Sequence, residues 1–285
     1  MIVFKEAAML QKHIGKLRAK GLVIGFVPTM GALHKGHLSL VDASKAQCDV
    51  TVASIFVNPT QFNDPNDFEK YPVTLNEDVL LLENTKCDIL FLPSVQEMYP
   101  LGTHSAVTYK LGDMEHLLEG KYRKGHFQGV CLAVHKLLNL VDPDYLYTGQ
   151  KDYQQYLILK KLVQLTNKKT NVIKVNTYRE SNGLAMSSRN LRLSDQQKEI
   201  AAAISKTLTY IKENAYQKPL RELEKIASDY LLNNGFSKVD YVSIVDADTL
   251  QPVNSIKNAK VVALIAAFIN GVRLIDNIVL NDPSD

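Results

Sequence analysis

Apolar positions along this chain switch repeatedly between helical and strand periods, and the switching predicts most of its elements. Over residues 5–20, Ala8, Leu10, Ile14 and Leu17 recur at helical spacing among basic residues, the pattern of a surface helix. Val23 to Val27 is an apolar run of strand character that ends at Pro28. From Gly36 onward Leu38, Leu40, Val41 and Ala43 supply the stripe of a second helix. Asp49 to Val57 is a second strand, apolar on nearly every side chain, as buried parallel strands tend to be. A polar loop over 63–71 follows, then a Thr74-to-Glu77 capping box opening a helix through Leu82, and a third strand at Ile89 to Leu92. Next come a short strand around Ala106 to Tyr109, an apolar helix from Gly129 to Leu140, a strand at Tyr145 to Thr148, a helix through Leu165 and a strand at Val172 to Val175. Strands alternating with helices of this length imply right-handed βαβ units and a parallel sheet.

After about Asn176 the texture changes. Residues 178–190 form a polar loop containing Gly183, and Ser194 with Gln197 opens a helix to about Glu213. Pro219 to Asn233 is a further helix, and Val239 to Val245 a strand. The runs on either side of Asn270-Gly271 read as a β-hairpin. The expected architecture is therefore α/β: a Rossmann-like parallel-sheet domain over 1–176 and a smaller C-terminal α+β domain over 177–285.

Composition narrows the class without changing that picture. The 285 residues suffice for one large domain or two ordinary ones, and 46% hydrophobic with 22% charged residues is a globular balance. A formal charge of +3 is too small to argue for nucleic-acid binding, though it leaves room for a local basic pocket. Cys48, Cys87 and Cys131 are odd in number and far apart, which fits neither a disulfide framework nor a zinc site. The N-terminus lacks a signal-peptide layout, and the longest apolar run, Val261 to Ile269, is too short to span a bilayer. A cytoplasmic protein with no membrane and no nucleic-acid partner is expected.

The candidate chemistry gathers where strands end. The first strand turns through Gly31 into a helix start carrying His34 and His37, and such a turn leaves backbone N–H groups directed at one spot, suited to phosphate. Histidines three residues apart sit about 5–6 Å apart at Cβ on one helical face and can donate to neighbouring oxygens of a polyphosphate. Three polar clusters, His34/His37, Asn58/Gln61 and Lys151/Gln155, fall at carboxyl ends of predicted strands, where parallel sheets bind ligands. Each has a plainer alternative. Histidine pairs arise by chance on surfaces, and lysine in a helix's first turn is commonly just solvated. Asp152-x-x-Gln155 also fits a capping box, and residues 187–189 could lie in an ordinary linker. Against this, a cation at a helix N-terminus is locally unfavourable unless an anion offsets it, which favours phosphate contact for Lys151. Gln61 offers both donors and an acceptor to a hydroxy acid. Ser187, Ser188 and Arg189 in succession suit phosphate oxygens, and Arg123 and His126 are further candidates near the nucleotide. No carboxylate cluster specifies a metal site built by the protein.

Five segments carry a resemblance: P-T-M-G-A-L-H-K-G-H at 28–37, S-I-F-V-N-P-T-Q-F at 54–62, G-H-F at 125–127, G-Q-K-D-Y-Q-Q at 149–155 and G-L-A-M-S-S-R-N at 183–190. In this order the chain resembles the pantoate–β-alanine ligases (pantothenate synthetases) of the HxGH nucleotidyltransferase superfamily. The resemblance implies a Rossmann-like domain with a C-terminal lid, a homodimer, and ATP with Mg²⁺ as co-substrate. It also implies two steps, pantoate adenylation with loss of pyrophosphate and then displacement of AMP by β-alanine. Carried over residue by residue, it puts Met30, Gly31, Ala32, Leu33, His34, Lys35, Gly36 and His37 along the ATP site, with His37 catalytic. Gly149, Gln150, Lys151, Asp152 and Tyr178 would contact ATP, and Met186, Ser187, Ser188 and Arg189 would close over its phosphates. His34, Lys151 and Arg189 join His37 as candidate catalytic groups. Gln61, Gln155 and Asn58 would bind substrate. Gln150 stands where the family usually has Glu, Asn176 where Pro is common and Met186 where Leu is common. Two other enzyme or binding classes share parts of the pattern: nucleotidyltransferases acting on phosphates, which need no Gln61/Gln155 pair, and tRNA synthetase-like proteins, for which 285 residues at +3 leave little room. A non-catalytic nucleotide-binding module is a third alternative, disfavoured by side-chain donors at the site.

Overall fold

A computed structural model describes residues 1–103, 106–257 and 259–281. The chain divides into two compact units, Met1–Gly149 with Gln155–Asn176, and Gln150–Gln154 with Thr177–Asp285. The short segment Gln150–Gln154, which periodicity assigns to the first domain, thus clusters with the second unit.

The first unit is built on six parallel strands: β1 (Ile2–Phe4), β2 (Ile24–Thr29), β3 (Val50–Ile55), β4 (Ile89–Phe91), β5 (Tyr145–Gly149) and β6 (Asn171–Val175). Their spatial order is β1-β4-β3-β2-β5-β6. The helices are α1 (Ala7–Arg18), α2 (Lys35–Gln47), α3 (Pro65–Glu69), α4 (Leu75–Asn84), α5 (Val95–Met98), α6 (Leu118–Tyr122), α7 (His126–Val141) and α8 (Tyr153–Leu165). Side chains alternate across a strand, so Ile24 and Phe26 of β2 join α1, α7 and α8 in one core, while Val27 joins α2 and α4 in the other. Both faces of the sheet are therefore covered, which is why its strands read as apolar runs. Gly25 allows α2 to sit this close, since a Cβ there would lie 2.1 Å from Ser44 Oγ.

Strand order reverses at β2, and there the sheet also opens. The β2/β3 ladder runs on to Thr29 and Ile55, whereas the β2/β5 ladder pairs only Gly25 with Tyr145 and Phe26 with Leu146. The carboxyl ends of β2 and β5 part from each other, and a crevice at this switch point is where such sheets take ligands.

Three local expectations change, and one strand comes in addition. β1 is too short to show a period and exists through pairing with β4. Residues 65–69, expected as loop, form α3, capped by the Asp64 carboxylate on Asn66 N–H. No strand forms around 106–109; instead the Gln128 amide accepts from Tyr109 N–H and donates to Tyr109 C=O, standing in for a neighbouring strand. The Thr74 capping box does not form either, because the Thr74 hydroxyl donates to Asp78.

The second unit packs α9 (Asp195–Ala201), α10 (Ala203–Asn214) and α11 (Leu220–Asn233) on an antiparallel sheet of β7 (Lys238–Asp246), β8 (Val261–Ile269) and β9 (Val272–Val279), ordered β7-β8-β9. The helix expected from Ser194 starts in a formed capping box with Gln197 and breaks at Ala202. Asn270 and Gly271 both take positive φ, as a tight hairpin turn requires. Among the described residues no helix is long and apolar enough to cross a membrane.

Candidate active site

At the end of β2 the chain makes a left-handed turn through Gly31 (φ 83°) and Ala32 (φ 48°). Such a conformation is costly for alanine. It is held by Asp78 of α4, 1% exposed, whose carboxylate accepts from Ala32 N–H at 2.9 Å and Leu33 N–H at 2.7 Å. The Gly31 N–H goes to Thr29 Oγ1 at 3.3 Å. The turn therefore differs from the expected cradle: the amides of 31–33 are bound by the protein itself, and side chains carry the donors.

Those side chains are the two imidazoles. His34 is not helical; it is the N-cap of α2, and its Nδ1 accepts from Gly36 N–H at 3.1 Å. His37 Nδ1 accepts from His34 N–H at 3.3 Å, so the pair builds a capping box from two imidazoles. Their rings lie against each other, tilted by 34° with centroids 4.0 Å apart. Because each Nδ1 is an acceptor, the neutral ring carries its proton on Nε2, and both rings present an N–H on the edge remote from the cap.

Gln61 stands beside this turn. Its Nε2 lies 2.7 Å from Met30 Sδ, which joins the residue after β2 to the 3₁₀ turn that follows β3. Gln61 ends a single 3₁₀ turn (Pro59–Gln61) that seats on α7, and Gly129 makes the seat possible: a Cβ there would lie 2.0 Å from Thr60 O. Asn58 locks the turn. It is 1% exposed, donates from Nδ2 to Gln61 Oε1 and Gly129 O, both at 3.1 Å, and accepts from the Tyr99 hydroxyl at 2.8 Å. Burial raises the Tyr99 pKa, which keeps that hydroxyl a donor. Below, His126 Nδ1–H donates to Gln61 C=O at 2.7 Å, and Arg123 Nη1 donates to His126 Nε2 at 3.1 Å. A cavity of about 320 Å³, lined by Met30, Gly31, Ile55, Phe56 and Asp78 among others, adjoins the turn.

In the second unit, residues 178–186 close on themselves. Arg179 bridges Ala185, Glu180 N–H donates to Leu184 O and Met186 N–H to Tyr178 O, with Gly183 (φ 92°) at the bend. The hairpin leads into a 3₁₀ turn (Ser188–Arg192) capped by Ser187, whose Oγ accepts from Arg189 N–H at 3.3 Å. Lys151 lies in another 3₁₀ turn (Gln150–Asp152), its side chain 17% exposed and its ammonium 3.5 Å from Asp152 Oδ1.

The profile of the family described as pantoate-beta-alanine ligase matches residues 2–279. The chain belongs to the pantoate–β-alanine ligase family. The pantothenate synthetase of Leptospira biflexa is 44% identical over 285 residues, covering 99% of this chain and 100% of the relative. That of Cytophaga hutchinsonii is 43% identical over 283 residues, covering 98% and 99%. Among solved structures, the Thermus thermophilus pantothenate synthetase superposes with a TM-score of 0.91 at 37% identity, covering 99% of this chain and 100% of that one. The Francisella tularensis pantoate–β-alanine ligase, described as complexed with β-γ ATP and β-alanine, gives 0.83 at 37% identity over the whole of both chains.

For a pantoate–β-alanine ligase, the expected residues sort as follows. In the first unit Met30 meets Gln61, and His34 meets His37. Gly31, Ala32 and Leu33 are buried and form the turn's base, Lys35 is exposed, and Gly36 serves the His34 cap. Asn58, expected at substrate, lies buried with Nδ2 donating to Gln61 Oε1 and Gly129 O. His126 likewise supports the Gln61 backbone. Gly149 ends β5, Gln155 is half-buried in the first turn of α8, and Tyr178 is 43% exposed. Ser188 is buried, while Met186, Ser187 and Arg189 are half-buried. Sequence reasoning missed Asp78, Tyr99 and Gly129. Their partners lie some 40 to 70 positions away, and no local pattern marks them.

Proposed function

We propose that the protein condenses pantoate with β-alanine at the expense of ATP, yielding pantothenate, AMP and pyrophosphate through a pantoyl adenylate. The observation that carries this is the Met30–Gln61 contact, which ties an amide suited to a hydroxy acid to the turn after β2, the same turn that leads into the paired imidazoles of His34 and His37. The Francisella relative's ATP and β-alanine complex supports the same substrates here. In the first step a pantoate carboxylate oxygen bonds to the α-phosphorus and the bond to pyrophosphate breaks. In the second, the β-alanine nitrogen bonds to the acyl carbon, AMP leaves with the oxygen, and the amine gives up a proton.

The residues supply positioning and charge stabilisation rather than a covalent nucleophile. His34 and His37 donate from Nε2 to phosphate oxygens, and Gln61 and Gln155 hold pantoate. Lys151 with Ser187, Ser188 and Arg189 neutralises the polyphosphate. Among the described residues no group of three or more His, Cys, Asp or Glu is placed to hold a metal ion. Mg²⁺ is accordingly assigned to the nucleotide, where it supplies charge neutralisation on phosphate oxygens. An acyl adenylate hydrolyses unless water is excluded, the purpose assigned to the C-terminal unit as a lid. Cytoplasmic location and a homodimer belong to the same proposal.

The test is AMP formation from ATP with pantoate and β-alanine, each omitted in turn. AMP should require both, while pyrophosphate exchange into ATP should require pantoate alone. No AMP with all three substrates present rejects the assignment.

A further inference from the structure

β9 is the edge strand of the second unit's sheet, and consecutive side chains of a strand project to opposite faces. Two neighbours on it, Asp276 and Asn277, each take hold of a different candidate nucleotide segment. Asp276, 3% exposed, receives the Arg179 guanidinium in a forked pair, Nη1 to Oδ2 at 2.6 Å and Nη2 to Oδ1 at 3.1 Å. Arg179 Nη1 also donates to Gly183 O at 3.1 Å, so this pair grips the hairpin that leads into Met186–Arg189. Asn277, 1% exposed, donates from Nδ2 to the carbonyls of Gln150 at 2.8 Å and Lys151 at 2.9 Å. One amide nitrogen with two protons meets both carbonyls; a carboxylate or an apolar side chain meets neither.

Stability alone does not account for this dipeptide. Burial pushes the Asp276 carboxyl above its usual range despite Arg179 and Lys151, and a buried ion pair is a weak source of stability. Asn277 Oδ1 has no hydrogen-bond partner among the described residues, which is unfavourable in an interior. What the two residues provide is spacing. Segments some 30 positions apart in sequence are tied to consecutive residues of one strand, whose rise is about 3.3 Å per residue.

We infer that Asp276 and Asn277 are positioning residues for the ligase reaction, setting the Lys151 turn and the Ser187–Arg189 loop in fixed register for the ATP phosphates. This rests on the reading of those two segments as nucleotide-binding.

The experiment measures pantoate-dependent ATP–pyrophosphate exchange at varied ATP and varied pantoate, with thermal midpoints, for Asn277→Ala, Asp276→Asn and a control. The control is Asp240→Asn, which alters another buried carboxylate of the same sheet, bound to Arg273 and Lys238. Misplacement of a positioning element by about 1 Å is worth on the order of 10²-fold, so Asn277→Ala and Asp276→Asn should lower kcat/KM for ATP by about that factor. Their KM for pantoate should stay within about two-fold, as for loss of an interaction confined to the nucleotide. Asp240→Asn should lose thermal stability and keep both constants. Unchanged ATP constants in the folded variants overturn the inference, as does an equal ATP defect in Asp240→Asn. If Asn277→Ala does not fold, Asn277→Ser keeps one donor and should show an intermediate ATP constant; a wild-type constant there also overturns it. Absence of exchange in the wild-type protein is a different result, since it removes the ligase assignment itself.

Discussion

Asp78 shows how much of the candidate site rests on a residue outside the expected set. Two backbone donors, Ala32 and Leu33, converge on its buried carboxylate, and the imidazole cap begins at the next residue. A side chain at Gly31 would be strained by its φ of 83° and crowded, since its Cβ would lie 3.0 Å from Asp78 Oδ2. Replacing Asp78 with Ala orphans both buried donors at about 1–3 kcal/mol each, a loss to be read from urea unfolding. The same variant should lose pantoate-dependent exchange, because the turn can no longer hold its left-handed alanine. His37→Ala attacks the chemistry more directly. Removing one donor from a developing phosphate charge typically lowers the rate 10²–10³-fold, or about 2.7–4 kcal/mol, and exchange should fall by that much while folding is kept. The histidines were legible from their spacing and from the glycine before them. Their arrangement was not: helix periodicity places both on a helical face, whereas His34 is an extended cap residue with φ −144°.

At the scale of elements, strongly periodic segments appear where the pattern predicts them, and the departures occur where a tertiary partner takes over. Gln128 binds the Tyr109 backbone where a short strand around 106–109 is expected, and Asp78 takes the Thr74 hydroxyl in place of the expected capping box. The placement of Gln61 is likewise decided between elements. Its 3₁₀ turn rests on α7 at Gly129, where any side chain would drive into Thr60 O. Gly129→Ala should therefore displace the turn, destabilise by about 1–3 kcal/mol as overpacking does, and raise KM for pantoate more than KM for ATP. Steady-state kinetics at saturating ATP checks the first change and thermal unfolding the second. Equal effects on both KM values would show that Gly129 serves the fold generally rather than this turn.

Across the whole molecule, burial sets the behaviour of several titratable groups. His135 sits against Tyr109, whose hydroxyl is 2.9 Å from His135 Nδ1. Burial, with Lys168 adding, lowers the His135 pKa below 6.5, and burial pushes Tyr109 up to about 12, so the tyrosine donates and the imidazole stays neutral. A lowered histidine pKa contributes stability that is present above 6.5 and lost as pH falls through the folded value. The thermal midpoint should therefore drop on acidification below 6.5, and His135→Gln should flatten that slope; parallel slopes would refute the assignment. Cys48, Cys87 and Cys131 are all free and buried, and burial raises Cys87 to about 11 and Cys131 to about 12. Thiol titration at about pH 8 should find them unreactive in the native protein and reactive in denaturant. The chain's alternating periods, its turn glycines and its five ordered segments by themselves determined the parallel-sheet class, the α+β second unit and the family, because each is written in local spacing. Only the tertiary structure decided which backbone donors are already occupied, that Asn58 is buried against Gln61 and Gly129, and that Asp78, Gly129 and the Asp276–Asn277 pair meet the turns that carry the candidate residues. Those roles depend on partners brought close by the sheet from distant positions, and no local period records such a meeting.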